Sequence, residues 1–124
     1  MAKSKGGAQH LSVQEAKNIQ LGQLGSMYTE AGESAIKPPD GHVFIAIQFL
    51  HNGVEFDNSG GLIAEDPDRY FYTEQASTGG GGTGGEVLDD TPRSKFPAGT
   101  IIYGRWTEID VAVGDHGLIA YIGV

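Results

Sequence analysis

Four histidines, His10, His42, His51 and His116, are the side chains in this sequence whose chemistry most directly suggests a metal site. Zinc sites bring ligands close together at short, regular spacings, and none of the four has another ligand at a usual spacing. His42 and His51 fall on one predicted strand, on opposite faces and about 30 Å apart, so they cannot share an ion. We expect them to be the polar ends of an apolar strand, and we predict no metal and no other cofactor.

Two short acidic motifs offer oxygen ligands that resemble half of a calcium loop. They are Asp57-x-Ser59 and Asp66-x-Asp68, and both lack the bidentate glutamate and the spacing of an EF-hand. Carboxylates in turns ordinarily accept hydrogen bonds from nearby backbone amides. We therefore expect both motifs to stabilise turns.

A glycine-rich segment, Ser77 to Glu86 with the sequence STGGGGTGGE, raises the question of phosphate binding. A phosphate loop would end in Gly-Lys-Ser/Thr and lead into a helix, and neither feature is present. Glu86, Asp89 and Asp90 would also repel a phosphate. We predict a mobile surface loop that continues to Lys95, a length typical of functional or disordered loops.

The remaining catalytic possibilities lack a recognisable motif. Cysteine is absent, and no serine lies in a nucleophile elbow with histidine and aspartate partners. Sequence alone cannot place two carboxylates at the separation that a glycosidase needs. We predict that the protein is not an enzyme.

Arg105 and Trp106 form the dipeptide with the most binding potential. Arg105 should share a strand face with Tyr103, where it could stack on the ring, cover it with its aliphatic stem, or pair with a carboxylate of another subunit. Trp106 should lie on the opposite face as a core anchor, a contact hot spot or a platform for a sugar.

Charge is distributed unevenly along the 124 residues, which carry a formal net charge of −8. In residues 1–17, three lysines against one glutamate give +2, so residues 18–124 carry −10. An acidic body repels nucleic acid and acidic membranes, so we predict neither as a partner. The acidity could serve solubility alone, or a weakly basic arm could dock on an acidic partner surface. No segment has the apolar length of a membrane span or a signal peptide, which favours synthesis in the cytoplasm.

The central part of the chain reads as short strands separated by turns. His42 to His51 is apolar on both faces, so it should be either a central strand of a sandwich or a strand at a subunit interface. Asn52-Gly53 predicts a hairpin returning through Val54 to Phe56. Further short strands are predicted at 62–64 and 70–73, and at most an edge strand at 34–37. Close, regular spacing of short strands indicates an all-β fold, a small antiparallel sandwich or barrel.

The C-terminal stretch should close this domain. Ile101, Tyr103, Ile109, Val111 and Val113 recur at strand spacing and predict a strand with one buried face. Residues 114–117 supply a turn, and residues 118–122 form an apolar run that suits a strand covered on both faces. We predict a hairpin here.

Residues 1–25 are predicted to form an N-terminal arm, and residues 26–124 the single β domain. Ser12 and Glu15 match a helix capping box, but an extended arm that becomes ordered on a neighbour fits equally well. A solvated tail is the simplest alternative. The arm residues expected to contact a partner are Lys3, Lys5, Leu11, Ile19, Leu21 and Leu24.

The end of the chain, FPAGTIIYGRWTEI and then LIAYIGV, resembles the ending of small virion structural proteins of tailed, particularly marine, phages. The residues that carry the resemblance are Pro97, Gly99, Tyr103, Gly104, Arg105, Trp106, Ala120, Tyr121 and Gly123.

The resemblance implies a head-decoration (cement) protein on the capsid exterior, made in the host cytoplasm. We expect such a protein to be a homotrimer whose arm binds the major capsid protein or a neighbouring copy, with Tyr103, Arg105 and Trp106 as further partner-binding residues. Two alternatives stay open. One is a carbohydrate-binding or host-recognition module that uses Trp106 and the tyrosines as platforms, and the other is a tail or head-completion component.

Overall fold

A computed structural model describes residues 22–57, 60–73, 81–82, 84–85, 88, 96–113 and 117–124 of the chain. The fold is all-β, as predicted, and the strands of both sheets pair antiparallel. The seven strands are β1 (Ser26–Thr29), β2 (Val43–Phe49), β3 (Glu55–Phe56), β4 (Leu62–Ala64), β5 (Ile101–Ile109), β6 (Val111–Val113) and β7 (Leu118–Gly123).

The larger sheet has five strands in the order β1-β7-β2-β5-β4. Its central strand is β2, which pairs with β7 on one side and β5 on the other, as its apolar sequence predicted. β1 and β4 are the two edge strands. Because the sheet is antiparallel with one face on the core, alternate residues of each strand face inward and outward.

β3 and β6 form a second, two-stranded sheet that shares the hydrophobic core with the first. The chain passes from β5 to β6 through Asp110, whose backbone amide donates to the Gly61 carbonyl and whose carbonyl accepts from the Asp57 amide. Gly61 also donates to the Asp57 carbonyl, and a Cβ on Gly61 would overlap the backbone of Asp57. Glycine at this position therefore lets three backbone segments meet where the two sheets join. The arrangement is sandwich-like.

Aromatic residues fill much of the core between the sheets. Phe49 and Phe96 stack with ring centroids 4.3 Å apart, and Phe56 meets both rings edge-on. Trp106 is fully buried beside Phe44 on the inner face of the large sheet. Burial of each such side chain contributes on the order of 2 kcal/mol to stability.

Both hairpins predicted from the sequence are wrong. Asn52 and Gly53 do form a turn, in which Gly53 has a φ of 82°, but β3 pairs with β6 rather than returning along β2. The Asn52 side chain instead accepts a hydrogen bond from the Ala98 amide. At the C-terminus, β6 pairs with β3 while β7 pairs with β1 and β2, so the two strands lie in different sheets.

The buried face of β5 differs from the prediction in the first part of the strand. Ile102 and Trp106 face the core there, whereas Tyr103 is 56% exposed. Ile109, at the end of β5, is buried as predicted. Register shifts occur on both sides of β5, so one simple alternation does not run through the whole strand. In β7 the inner residues are buried and the outer ones only partly covered, which corrects the prediction that both faces are covered.

Of the remaining short segments, one is confirmed and the others differ in smaller ways from the prediction. The short strand at 62–64 is confirmed as β4. Residues 34–37 contribute a single bridge, from Ile36 to Ile109, and residues 70–73 a single bridge, from Thr73 to Leu88. Strand β1 was not predicted. The predicted helix start at Ser12 and most of the glycine-rich loop lie outside the described residues.

Candidate functional site

The outer face of the large sheet carries two rows of side chains that run across four neighbouring strands. Residues that pair directly across an antiparallel sheet share a face, so the registers define each row. We call the two rows together the tyrosine face. One row is Ser26, Tyr121, Ala46 and Tyr103, and the other is Tyr28, Ile119, Gln48 and Ile101.

The tyrosine face has no charged residue, although the chain carries a net charge of −8. Two of its rings are open to solvent, Tyr28 at 52% and Tyr103 at 56% exposure. Between them, the Tyr121 hydroxyl donates a 3.0 Å hydrogen bond to Oε1 of Gln48, which holds that ring across the middle of the face. With strands about 4.8 Å apart, the four strands make a platform about 14 Å wide.

An ion pair flanks the tyrosine face next to Tyr103. The Arg105 guanidinium binds the Glu65 carboxylate through two hydrogen bonds, of 2.6 Å from Nε and 3.2 Å from Nη2. Nη1 donates to the main-chain oxygen of Val124 at 2.8 Å. The hydrogen bonds from Arg105 hold the pKa of Glu65 below its usual range and raise the pKa of Arg105. Arg105 thus pairs within its own chain, and it ties β5 to the segment after β4 and to Val124.

Trp106 is not available to a partner. Its side chain has 0% exposure, its Nε1 donates to the Phe71 carbonyl oxygen at 2.9 Å, and its ring meets Phe71 edge-on. Of the three roles considered for Trp106, the structure shows the core anchor. The predicted partner-binding role of Trp106 is corrected here, because an indole without exposed surface cannot form a contact or a sugar platform.

A cleft of about 430 Å³ lies beside the edge strand β1, and we call it the β1 cleft. Among the described residues, the charged side chains that line it are two glutamates, Glu30 and Glu33. The Tyr28 hydroxyl donates a 2.6 Å hydrogen bond to Oε2 of Glu30, and this bond raises the pKa of Tyr28. The residues that line the β1 cleft are Tyr28, Thr29, Glu30, Glu33, Ser34, Ala35 and Ile36.

The other predicted site residues do not lie together in the described part of the chain. Leu24 lies just before β1 and is 50% exposed. Lys3, Lys5, Leu11, Ile19 and Leu21 lie outside the described residues. Tyr103 belongs to the tyrosine face, as its exposure shows. Sequence reasoning missed Tyr28, Glu30 and Glu33, because β1 is short and was not recognised as a strand.

Within the described ranges, no three histidine or acidic side chains lie close enough together to hold a metal ion. His42 Nδ1 donates a 3.0 Å hydrogen bond to the Asp40 carbonyl oxygen. Asp66 accepts a 3.0 Å hydrogen bond from the Asp68 amide, which is the turn role predicted for this motif. Ser59 of the other acidic motif lies outside the described residues.

No helix in the part of the chain that the structure describes has the length and apolar character needed to cross a membrane. Comparison of the chain with protein-family models, with curated proteins and with solved structures finds no match. The tyrosine face and the β1 cleft are therefore the features of this protein that bear on its function.

Proposed function

We propose that this chain is a non-enzymatic structural protein of a phage particle, one that decorates the outside of the head and stabilises it. The observation that carries the proposal is the tyrosine face, a broad uncharged surface on an otherwise acidic protein. Contiguous exposed surfaces of this kind mark contact sites in soluble proteins. Tyrosine is enriched at such sites because its ring buries a large area with few rotatable bonds.

In this proposal the tyrosine face lies against the major capsid protein. The residues of the face carry no charge, although the Glu30 carboxylate and the Arg105–Glu65 pair lie at its margins, so burying the face costs less than burying a charged surface. The two exposed rings, Tyr28 and Tyr103, are anchors that could fill pockets on the capsid surface. The acidic remainder of the protein stays in solvent, where like charge keeps particles apart.

The resemblance of the chain's ending to virion proteins supports the same function. The two strands that carry most of that resemblance, β5 and β7, contribute Tyr103 and Tyr121 to the tyrosine face. Gly104 and Arg105, which follow Tyr103, have structural explanations. Gly104 leaves room for the Trp106 ring, and Arg105 pairs with Glu65. Core packing does not explain an exposed Tyr103, whereas a contact role does.

A binding assay with phage heads that lack this protein tests the proposal. Purified protein should bind such heads saturably and cosediment with them. Tyr103→Ser should abolish or strongly weaken binding because it removes the ring, and Tyr103→Phe should retain most of it because the ring remains. Failure of the wild-type protein to bind heads, or equal binding by Tyr103→Ser, would contradict the proposal.

Carbohydrate binding in a fibre or host-recognition module is the second candidate. The exposed rings of Tyr28 and Tyr103, rather than Trp106, favour it, because sugars stack on open aromatic faces. A glycan array probed with the wild-type protein and with Tyr103→Ser separates the two functions. Saturable sugar binding that depends on Tyr103, without binding to heads, would establish this second function instead.

A further inference from the structure

The outer edge of β1 has no strand partner among the described residues, because β1 is the last strand of the large sheet and pairs only with β7. The Gly25 carbonyl accepts a hydrogen bond from the Ile122 amide, so Gly25 points toward β7. By the alternation of an antiparallel ladder, the backbone groups of Ser26 and Tyr28 point away from β7. This edge can therefore accept an added strand.

The β1 cleft places negative charge along that same edge. Glu30 follows β1 directly, and the turn bond from the Glu33 amide to the Glu30 carbonyl, at 3.2 Å, brings Glu33 back beside it. The hydrogen bond from Tyr28 fixes the Glu30 carboxylate next to the exposed tyrosine ring. The described residues place no basic side chain in the lining of the cleft. A cationic, extended segment is the ligand that matches this site.

Thr29, the last residue of β1, also lines the β1 cleft, but its side chain turns to the inner face of the sheet with Leu118, and its Oγ1 is closed to solvent. The free strand edge and the two glutamates are therefore the features that a ligand would recognise.

We infer that the β1 cleft binds the N-terminal segment of a neighbouring copy of this chain. The segment would add to the edge of β1 as an extended strand, with Lys3 and Lys5 opposite Glu30 and Glu33. Residues 1–17 carry a net charge of +2, which is complementary to the two glutamates. Alternate residues of a strand share a face, so Lys3 and Lys5 can both turn toward the cleft.

The length of the N-terminal segment is sufficient for such an exchange. The 21 residues before Gly22 can span up to about 70 Å when extended. The five-stranded sheet is only about 20 Å wide, so an extended segment of this length is long enough to meet a neighbouring copy. An arm that binds a different site on the next copy makes a heterologous contact, which closes into a ring when the rotation allows. The inference rests on the proposed decoration function, for which the resemblance leads us to expect a homotrimer, and it supplies a contact between the copies.

Carbodiimide cross-linking of the full-length protein tests the inference, because this reagent joins lysines only to carboxylates in direct contact. The sample is an equal mixture of unlabelled and ¹⁵N-labelled wild-type protein. Cross-links from Lys3 or Lys5 to Glu30 or Glu33 should appear, and many should join one labelled with one unlabelled peptide. Absence of these cross-links, or cross-links that join only two labelled or only two unlabelled peptides, would overturn the inference.

A charge exchange provides the matched second test. Lys3→Glu with Lys5→Glu, and separately Glu30→Lys with Glu33→Lys, should each weaken self-association about tenfold, as sedimentation velocity measures it. Mixing the two variants should restore association in part, because the acidic arm of one faces the basic cleft of the other. In a ring of three copies, two of the three contacts then pair opposite charges. The control, Asp40→Lys with Asp68→Lys, changes charge equally on exposed turn residues outside the cleft and should leave association unchanged. No restoration on mixing would contradict the inference.

Failure of this inference is distinguishable from failure of the proposed function. A protein that binds heads and depends on Tyr103, but shows none of these cross-links, would retain its decoration role and lose the arm exchange. A protein that shows the cross-links but does not bind heads would retain the exchange and lose the decoration role.

Discussion

Trp106 packs directly against Gly104 in β5, so closely that a Cβ on Gly104 would lie 2.7 Å from Cζ2 of the indole. The indole is also held by its hydrogen bond to the Phe71 carbonyl oxygen and by the edge-on Phe71 ring. The ring therefore cannot shift away from residue 104 without breaking a buried hydrogen bond. Glycine at 104 is a packing requirement of the core.

Substitution Gly104→Ala should destabilise the protein by about 1–3 kcal/mol, because the added methyl group overpacks a fixed ring. Thermal unfolding followed by tryptophan fluorescence measures the change. Gly82→Ala is the matched control, since a Cβ on Gly82 meets no atom within 4 Å. Equal melting temperatures for wild type and Gly104→Ala would show that the indole can move.

Arg105→Lys should lower the melting temperature slightly, because lysine keeps the charge but cannot make the two-point contact with Glu65. The effect should be smaller than that of Gly104→Ala, since both side chains are partly exposed and salt screens the pair. A double-mutant cycle with Glu65→Gln isolates the interaction. Additive effects in that cycle would mean that the pair contributes nothing to stability.

The same ion pair should make stability depend on pH in the acid range. The pKa of Glu65 is lower in the folded protein than in the unfolded chain, because of the hydrogen bonds from Arg105. The stabilisation by the ionised carboxylate is therefore present above the unfolded pKa and is lost as pH falls through the folded pKa. Wild type and Glu65→Gln should differ in melting temperature at about pH 7 and converge in acid, below the folded pKa of Glu65. A constant difference would contradict this origin.

Asp110 should show the opposite dependence. Burial, and then the nearby charges of Asp57 and Glu108, raise the pKa of Asp110. A raised folded pKa favours the protonated form, so its contribution to stability is present at low pH and is lost as pH rises through the folded pKa. Asp110→Asn should therefore stabilise the protein at about pH 7 by up to about 0.5 kcal/mol, a small value because solvent screens the site. The gain should disappear near about pH 3, and a gain that persists there would refute the charge explanation.

Deletion of residues 1–21 should weaken attachment to heads while the melting temperature stays close to that of the full chain. The deletion must stop before Gly25, because its carbonyl accepts a hydrogen bond from the Ile122 amide in β7. Cosedimentation with heads measures attachment, and Lys3→Glu with Lys5→Glu separates charge from length. Unchanged attachment of the deletion variant would exclude the arm from the contact.

Local sequence patterns predicted the strands better than their pairing. The alternating or continuous apolar runs of β2, β4, β5 and β7 identified these segments, because burial of one face requires that pattern. Which strands pair depends on the path that the chain takes after each turn. Asn52-Gly53 does turn the chain, but Val54 then bridges Phe96 and Phe96 stacks on Phe49, contacts made across more than 40 residues. No local signal in the sequence records such contacts.

The candidate site was predicted only in part for a similar reason. Tyr103 was named, but its face was predicted to be buried, because the register shifts around β5 are invisible in a simple alternation. Trp106 could equally have been a surface ring until its hydrogen bond to Phe71 was seen. The sequence SMYT of β1 has one strongly apolar residue, Met27, so neither the strand nor its acidic cleft could be recognised.

The copy number of this protein in purified native particles is the decisive measurement for the head-decoration role. Quantitative peptide mass spectrometry gives the ratio of this protein to the most abundant coat protein, without any assumption about the binding site. Head decoration predicts a ratio near one, which corresponds to hundreds of copies per head. Absence from the particles, or only a few copies in each, would contradict the decoration role and direct attention to tail components or to sugar binding.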